Sequence, residues 1–141
     1  MGTAVSAVAA AMFTLAALTA GTAQTQRQQS TLMSATESLK ATDYHPCGGS
    51  PAPTLARYQA DYAADTSAWR PASGSGITVH IVGVEHWNGA GAGGLGQFRS
   101  TCPSGADQGR QRLTVRVEGP GWTPRTASVV IAEEQWTEPE P

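Results

Sequence analysis

The chain has 141 residues and a formal net charge of −2, room for one modest domain plus an N-terminal segment. Its nine basic residues are scattered, which excludes the basic surface of a nucleic-acid binder. Eight of the nine are Arg, with Lys40 the exception, and alongside so much Ala, Gly and Pro this bias reflects a GC-rich genome.

The first 45 residues contain none of the nine prolines, and their commonest residue is Ala, the best helix former. Thr3 to Ala23 carries no charge. As a helix it would span about 31 Å, close to the hydrocarbon thickness of a bilayer. Residues 1–23 are therefore read as a hydrophobic membrane or assembly helix. Its bulky members are Val5, Val8, Met12, Phe13, Leu15 and Leu18, diluted by Ser6, Thr14, Thr19 and Thr22. Val5, Val8, Met12 and Leu15 follow a 3-4-3 spacing and share one helical stripe, equally suited to a neighbouring helix or to lipid. A secretory signal would begin with positive charge, whereas the first basic residue here is Arg27. Small residues Gly21 and Ala23 keep cleavage after Ala23 as an alternative.

Residues 24–45 continue without a helix stop. Leu32, Ala35, Thr36 and Leu39 recur at helical spacing, so Leu32 and Leu39 are expected to face a domain while Glu37, Ser38 and Lys40 face elsewhere. Pro46 disfavours helical angles at His45 and sets the terminus. Thr3 to Thr42 would then form one rod of about 60 Å.

Residues 46–136 read as a small domain, followed by a disordered tail at 137–141. "TLARYQADYAAD" (Thr54 to Asp65) predicts a short helix with Leu55, Tyr58 and Tyr62 on one side. Ile77 to Trp87 alternates as a strand, with Ile77, Val79 and Ile81 on one face. His80 and His86 fall on the other, with Val82 and Val84. Arg112 to Glu118 directs Leu113, Val115 and Val117 inward, "GPGW" (Gly119 to Trp122) predicts a turn, and Thr126 to Ala132 a further strand. The sum is an antiparallel meander of three or more strands with one face free to lie on a helix.

Cys47 and Cys102 are expected to pair, stabilising a thinly cored domain by about 4 kcal/mol in the chain-entropy model. A two-cysteine metal site would want further ligands at short spacing, and neither cysteine has any.

Other motifs fail on context. "GAGAGG" (Gly89 to Gly94) matches a dinucleotide fingerprint, but no helix or parallel sheet follows it. His80, Glu85 and His86 match no common zinc spacing and read as packed or surface residues. No serine sits in a nucleophile elbow, and Glu133 and Glu134, adjacent at a strand end, point apart. Trp69, Trp87, Trp122 and Trp136 are dispersed, as core or rim residues would be. The chain is read as non-enzymatic, with no catalytic residues, metal or cofactor.

"ESLKATDYHPC" (Glu37 to Cys47), "VEHWNG" (Val84 to Gly89), "FRSTC" (Phe98 to Cys102) and "DQGRQRLTVRV" (Asp107 to Val117) together resemble type IV pilins and pseudopilins. They are most similar to the prepilin-type proteins of Gram-positive bacteria. The family leader, a basic stretch with Gly before Phe-Thr-Leu-x-Glu, is only echoed by "MFTLAAL" (Met12 to Leu18). Aligned on the rest, Met1 falls midway through the family's hydrophobic helix, so Met1 is expected to be a start internal to a longer reading frame. The resemblance implies an α+β fold, a long N-terminal helix, membranous then amphipathic, packed on the sheet. It further implies a minor pilin or pseudopilin-like subunit. Its partners would be the membrane, other pilin-like subunits along the helix and, given an upstream leader, a prepilin peptidase. Its place would be the cell membrane, single-pass with an extracellular domain, or a surface filament. Two alternatives remain: a secreted binding module released after Ala23, and a simple single-pass surface protein.

Overall fold

Helix α1 (Thr3–Lys40) is followed by α2 (Pro51–Ala64) and by strands β1 (Thr78–Trp87), β2 (Phe98–Arg99), β3 (Arg110–Glu118) and β4 (Arg125–Ala132). The structure is a computed structural model that describes residues 3–48, 51–89, 96–103 and 107–133, with side chains of α1 described from Gly21 onward. All strand pairs are antiparallel, in the order β2-β1-β3-β4.

From Gly21, α1 buries Gln28, Thr31, Leu32, Ala35 and Leu39, a 3-4 pattern that keeps one flank against β3 and β4. Gln26, Gln29, Met33, Glu37 and Lys40 occupy the opposite flank and are exposed. The last turn tightens, with Ala41 and Thr42 amides donating to the Ser38 and Leu39 carbonyls. Helix α2 lies on β1 and turns Thr54, Tyr58 and Tyr62 inward. One core joins the two helices to a single face of the sheet: Ala35 and Leu39, Tyr58 and Tyr62, then Ile81, Val84, Leu113, Val115, Val129 and Ile131. Burying each larger member contributes about 1.5–3 kcal/mol.

The expected rod with a membranous first half is corrected. Among the described residues no helix is long and apolar enough to cross a membrane. The turns that open the described part of α1 carry Gln24, Gln26, Arg27, Gln28 and Gln29, whose polar groups would be costly in hydrocarbon. What packs on the sheet is the short stretch from Gly21 to Lys40, joined by a second short helix. The transmembrane and membrane assignments, and the single-pass localisation with its extracellular domain or filament, fall with that membranous half. The expectations for Val5, Val8, Met12, Phe13, Leu15 and Leu18 lie outside the described side chains, and the disordered tail at 137–141 lies outside the described residues.

Strand phase differs from the expectation in one place. Ile81 pairs with Val115, but Gly83 pairs with Thr114, so Val82 is one residue too many for β3. This bulge shifts the alternation by one position. His80 and Val82 stay exposed, whereas Val84 and His86 turn into the core. The two histidines therefore lie on opposite faces. Strand β2 was not anticipated; it pairs only Phe98 with Trp87 and Arg99 with His86.

Candidate functional site

The chain leaving α1, Tyr44 to Cys47, crosses the end of the sheet where His86 on β1 faces Gln111 on β3. Polar side chains from four elements converge there. Asp107 accepts from the Tyr44 hydroxyl at 2.5 Å, the Cys47 amide at 2.7 Å and the Gly109 amide at 3.1 Å. Gln111, fully buried, accepts from the Tyr58 hydroxyl at 2.6 Å and donates to the His45 carbonyl at 2.6 Å. The His45 amide donates to the Tyr58 oxygen at 3.0 Å, and its imidazole pairs with Asp61 of α2. Both main-chain polar groups of His45 are thus satisfied by side chains, as an irregular segment over a core requires.

The disulfide completes the junction. Cys47 and Cys102 are joined with their Cα atoms 5.7 Å apart, and His86 Nε2 lies 3.3 Å from Cys47 Sγ. His86 is 0 % exposed, and its Nδ1 has no hydrogen-bond partner among the described residues.

Protonation follows from these surroundings. Burial opposes the charge of Asp107, yet the Tyr44 hydroxyl and the Cys47 and Gly109 amides hold its carboxyl below the usual range. Burial, then the hydrogen bond to Asp107, raises the Tyr44 phenol far above its ordinary value. Tyr58 is pushed up to about 12 by burial, against the opposing effect of the His45 amide. Burial also lowers the His86 imidazole, and the nearby Asp107 carboxylate partly offsets this. At neutral pH Asp107 is therefore a carboxylate, Tyr44 and Tyr58 are neutral phenols and the buried His86 is a neutral imidazole. That arrangement fastens the helix exit.

A second feature is a groove of 410 Å³ between α2 and the outer edge of β1, lined by Gln59, Tyr62, Arg70, Val79, His80 and Ile81 among others. Strand β2 reaches β1 only at its far end, and the Gln59 amide takes a neighbouring strand's place by donating to the Ile81 carbonyl at 2.8 Å. Arg70 lies over the Tyr62 ring, 4.3 Å from its centroid, and donates to the Tyr62 carbonyl. A third lies where α1 meets the β3–β4 turn. Gln24 and Gln28 donate to the Gly121 and Thr123 carbonyls at 3.1 and 2.7 Å beside a recess lined by Ala23, Gln24, Arg27 and Trp122.

Of the residues singled out from sequence, Cys47 and Cys102 are joined, and Leu32 and Leu39 face the sheet. His80, Glu85 and His86 are dispersed: His80 is exposed, Glu85 pairs with Arg112 across the strands at 2.7 Å, and His86 is buried by the disulfide. Trp69, Trp87 and Trp122 occupy separate, partly exposed positions. Glu133 continues the sheet edge, its amide donating to the Gly109 carbonyl at 2.8 Å. Glu134, Trp136 and most of "GAGAGG" (90–94) lie outside the described residues.

Asp107, Gln111, Gln24 and Gln28 were not found by sequence reasoning. Two had a readable signal. Asp107-Gln108-Gly109 is an Asx-turn pattern with Gly109 at φ 65°, and Gln111 falls in the inward phase of the strand containing Leu113, Val115 and Val117. In comparisons with known proteins, no family model matches the chain, and neither does any curated protein or solved structure. The resemblance to pilins therefore stands on the quoted residues alone.

Proposed function

We propose that the chain is a structural, non-enzymatic subunit of pilin-like kind, which assembles with further subunits along α1 while the other flank of that helix carries the sheet domain. One observation carries this reading. From Gly21 to Lys40 the inner flank is committed to the sheet, and Gln26, Gln29, Met33, Glu37 and Lys40 leave the outer flank open to a neighbour. Met33, at 68 % exposure, is the large apolar side chain on that flank. The polar side chains at the helix exit are occupied in holding the junction, which fits a fastening role better than a reactive one.

The experiment is to isolate the natural product and measure its assembly. An assembly of more than one copy of the chain, with a photoreactive residue at position 33 cross-linking to a second subunit, is the expected outcome. A monomer at all concentrations, without cross-links from position 33, rules it out. A second reading, a secreted binding module released after Ala23, is favoured by the groove beside β1. Intact mass separates the two, since the module would lack residues 1–23.

A further inference from the structure

We propose that reduction of the Cys47–Cys102 disulfide converts this junction into a binding site for a thiophilic d10 cation, Zn2+ in the first instance, with both thiolates and His86 as ligands. The three ligand atoms come from the segment after α1, the segment after β2 and the end of β1, and all lie within 4.8 Å of one another. The β1 bulge is what turns His86 toward the sulfurs.

His86 supplies a second, independent observation. Its ring is fully buried, and among the described residues Nδ1 has no partner and Nε2 meets only the Cys47 sulfur, at 3.3 Å. Sulfur is a weak hydrogen-bond acceptor, so the imidazole has traded hydration for little in return. A metal at Nε2 would replace that weak contact with a coordinate bond, the ring proton then residing on Nδ1. Two thiolates and one neutral imidazole are the donor set that selects Zn2+ or Cu+ over hard cations, and two thiolates cancel the charge of Zn2+.

The geometry accommodates this without rebuilding the backbone. Zn–S bonds of about 2.3 Å and Zn–N bonds of about 2.0 Å place tetrahedral donors about 3.5–3.8 Å apart. The observed Sγ to Nε2 distance of 3.3 Å is already close to that spacing, and a Cα separation of 5.7 Å lets the sulfurs draw apart by side-chain rotation. Asp107 steadies the Cys47 main chain through its amide. A fourth position is left for water, because both cysteines are only half-buried.

The redox step balances with a dithiol reductant. Two electrons and two protons pass from the dithiol to the disulfide, giving two cysteine thiols and one oxidised dithiol. Zn2+ then displaces the two thiol protons to solvent. In the oxidised chain the sulfurs are bonded to each other, and no thiolate exists to bind metal.

The test uses the full chain, oxidised and phosphine-reduced, titrated with Zn2+ against a chromophoric chelator and with Co2+ as an optical probe. The reduced chain is expected to take up one equivalent and to show sulfur-to-cobalt charge-transfer absorption; the oxidised chain should do neither. His86→Gln should weaken uptake by at least the roughly 10–100-fold that loss of an outer-shell partner costs, and Cys102→Ser should do the same without altering the ring. If reduction loosens the fold, Zn2+ must restore it by circular dichroism. Equal binding by the oxidised chain overturns the proposal. So does a reduced chain that neither binds nor refolds, or binding indifferent to both substitutions.

Discussion

Asp107 shows how one side chain organises the helix exit. Its carboxylate receives three donors, two of them from the chain segments it holds together. Asp107→Asn replaces one acceptor oxygen by a donor, setting it against the Tyr44 hydroxyl or the Cys47 amide. The expected loss is about 1–3 kcal/mol, read as a lower denaturation midpoint at unchanged slope. An unchanged midpoint would remove Asp107 as an organiser. The same residue gives stability a pH dependence. Its folded pKa is depressed, so between that value and the ordinary value of about 3.9 the unfolded chain holds a proton that the folded chain lacks. The contribution is present in full above that ordinary value and is lost as pH falls through the folded pKa. Asp107→Asn should flatten this part of the acid-denaturation curve, and a slope identical to that of the parent would contradict the assignment.

Elements here depend on a few positions that interrupt their regularity. Between β3 and β4, the Trp122 amide donates to the Gly119 carbonyl at 3.0 Å, with Pro120 and Gly121 central in the turn. Gly121 has φ 70° and a Cβ there would meet nothing within 4 Å, so an alanine would be penalised by its backbone conformation alone. Gly121→Ala should destabilise by about 1–2 kcal/mol, with Asn at the same position recovering part of the loss. Thermal unfolding of the two variants checks this, and equal midpoints for all three proteins would contradict it. At Gly119 the constraint is steric, because a Cβ would lie 2.7 Å from the Trp122 ring. The carbonyls of this turn region are also where Gln24 and Gln28 attach α1, so its shape sets the helix position.

For the whole molecule, the staple outweighs any single contact. The disulfide spans 55 residues and ties the helix exit to the segment after β2, the shortest strand. Cys47→Ser with Cys102→Ser should cost about 4 kcal/mol in the chain-entropy model, a large share of the roughly 5–15 kcal/mol available to a domain. Equilibrium unfolding of the double variant tests it, and a loss below 1 kcal/mol would mean that the unfolded chain is already compact. With both helices on one sheet face, the other carries polar pairs, Glu85 with Arg112, Thr114 beside Ser128, and Arg116 with Glu118, together with the exposed Val82 and Val130.

The amino-acid sequence by itself determined what is periodic or local. Alternation in 112–118 marked β3, the run 126–132 marked β4, the inward spacing of Leu32, Ala35 and Leu39 marked the packed flank of α1, and Pro-Gly marked the turn. Such features are legible because each residue's role depends on neighbours within one or two turns or strand steps. Tertiary structure alone decided the rest. The bulge at Val82 is defined only against β3, so the phase that buries His86 could not be read along β1. Asp107, Gln111 and Tyr44 matter through partners 53 to 66 residues away, and a polar side chain carries no periodic signal of the donor that will meet it. Thr3 to Ala23 invited a membrane reading through the absence of charge, yet the glutamines just beyond it are committed to the sheet and its turn, and the partner of a buried polar group is chosen by the fold.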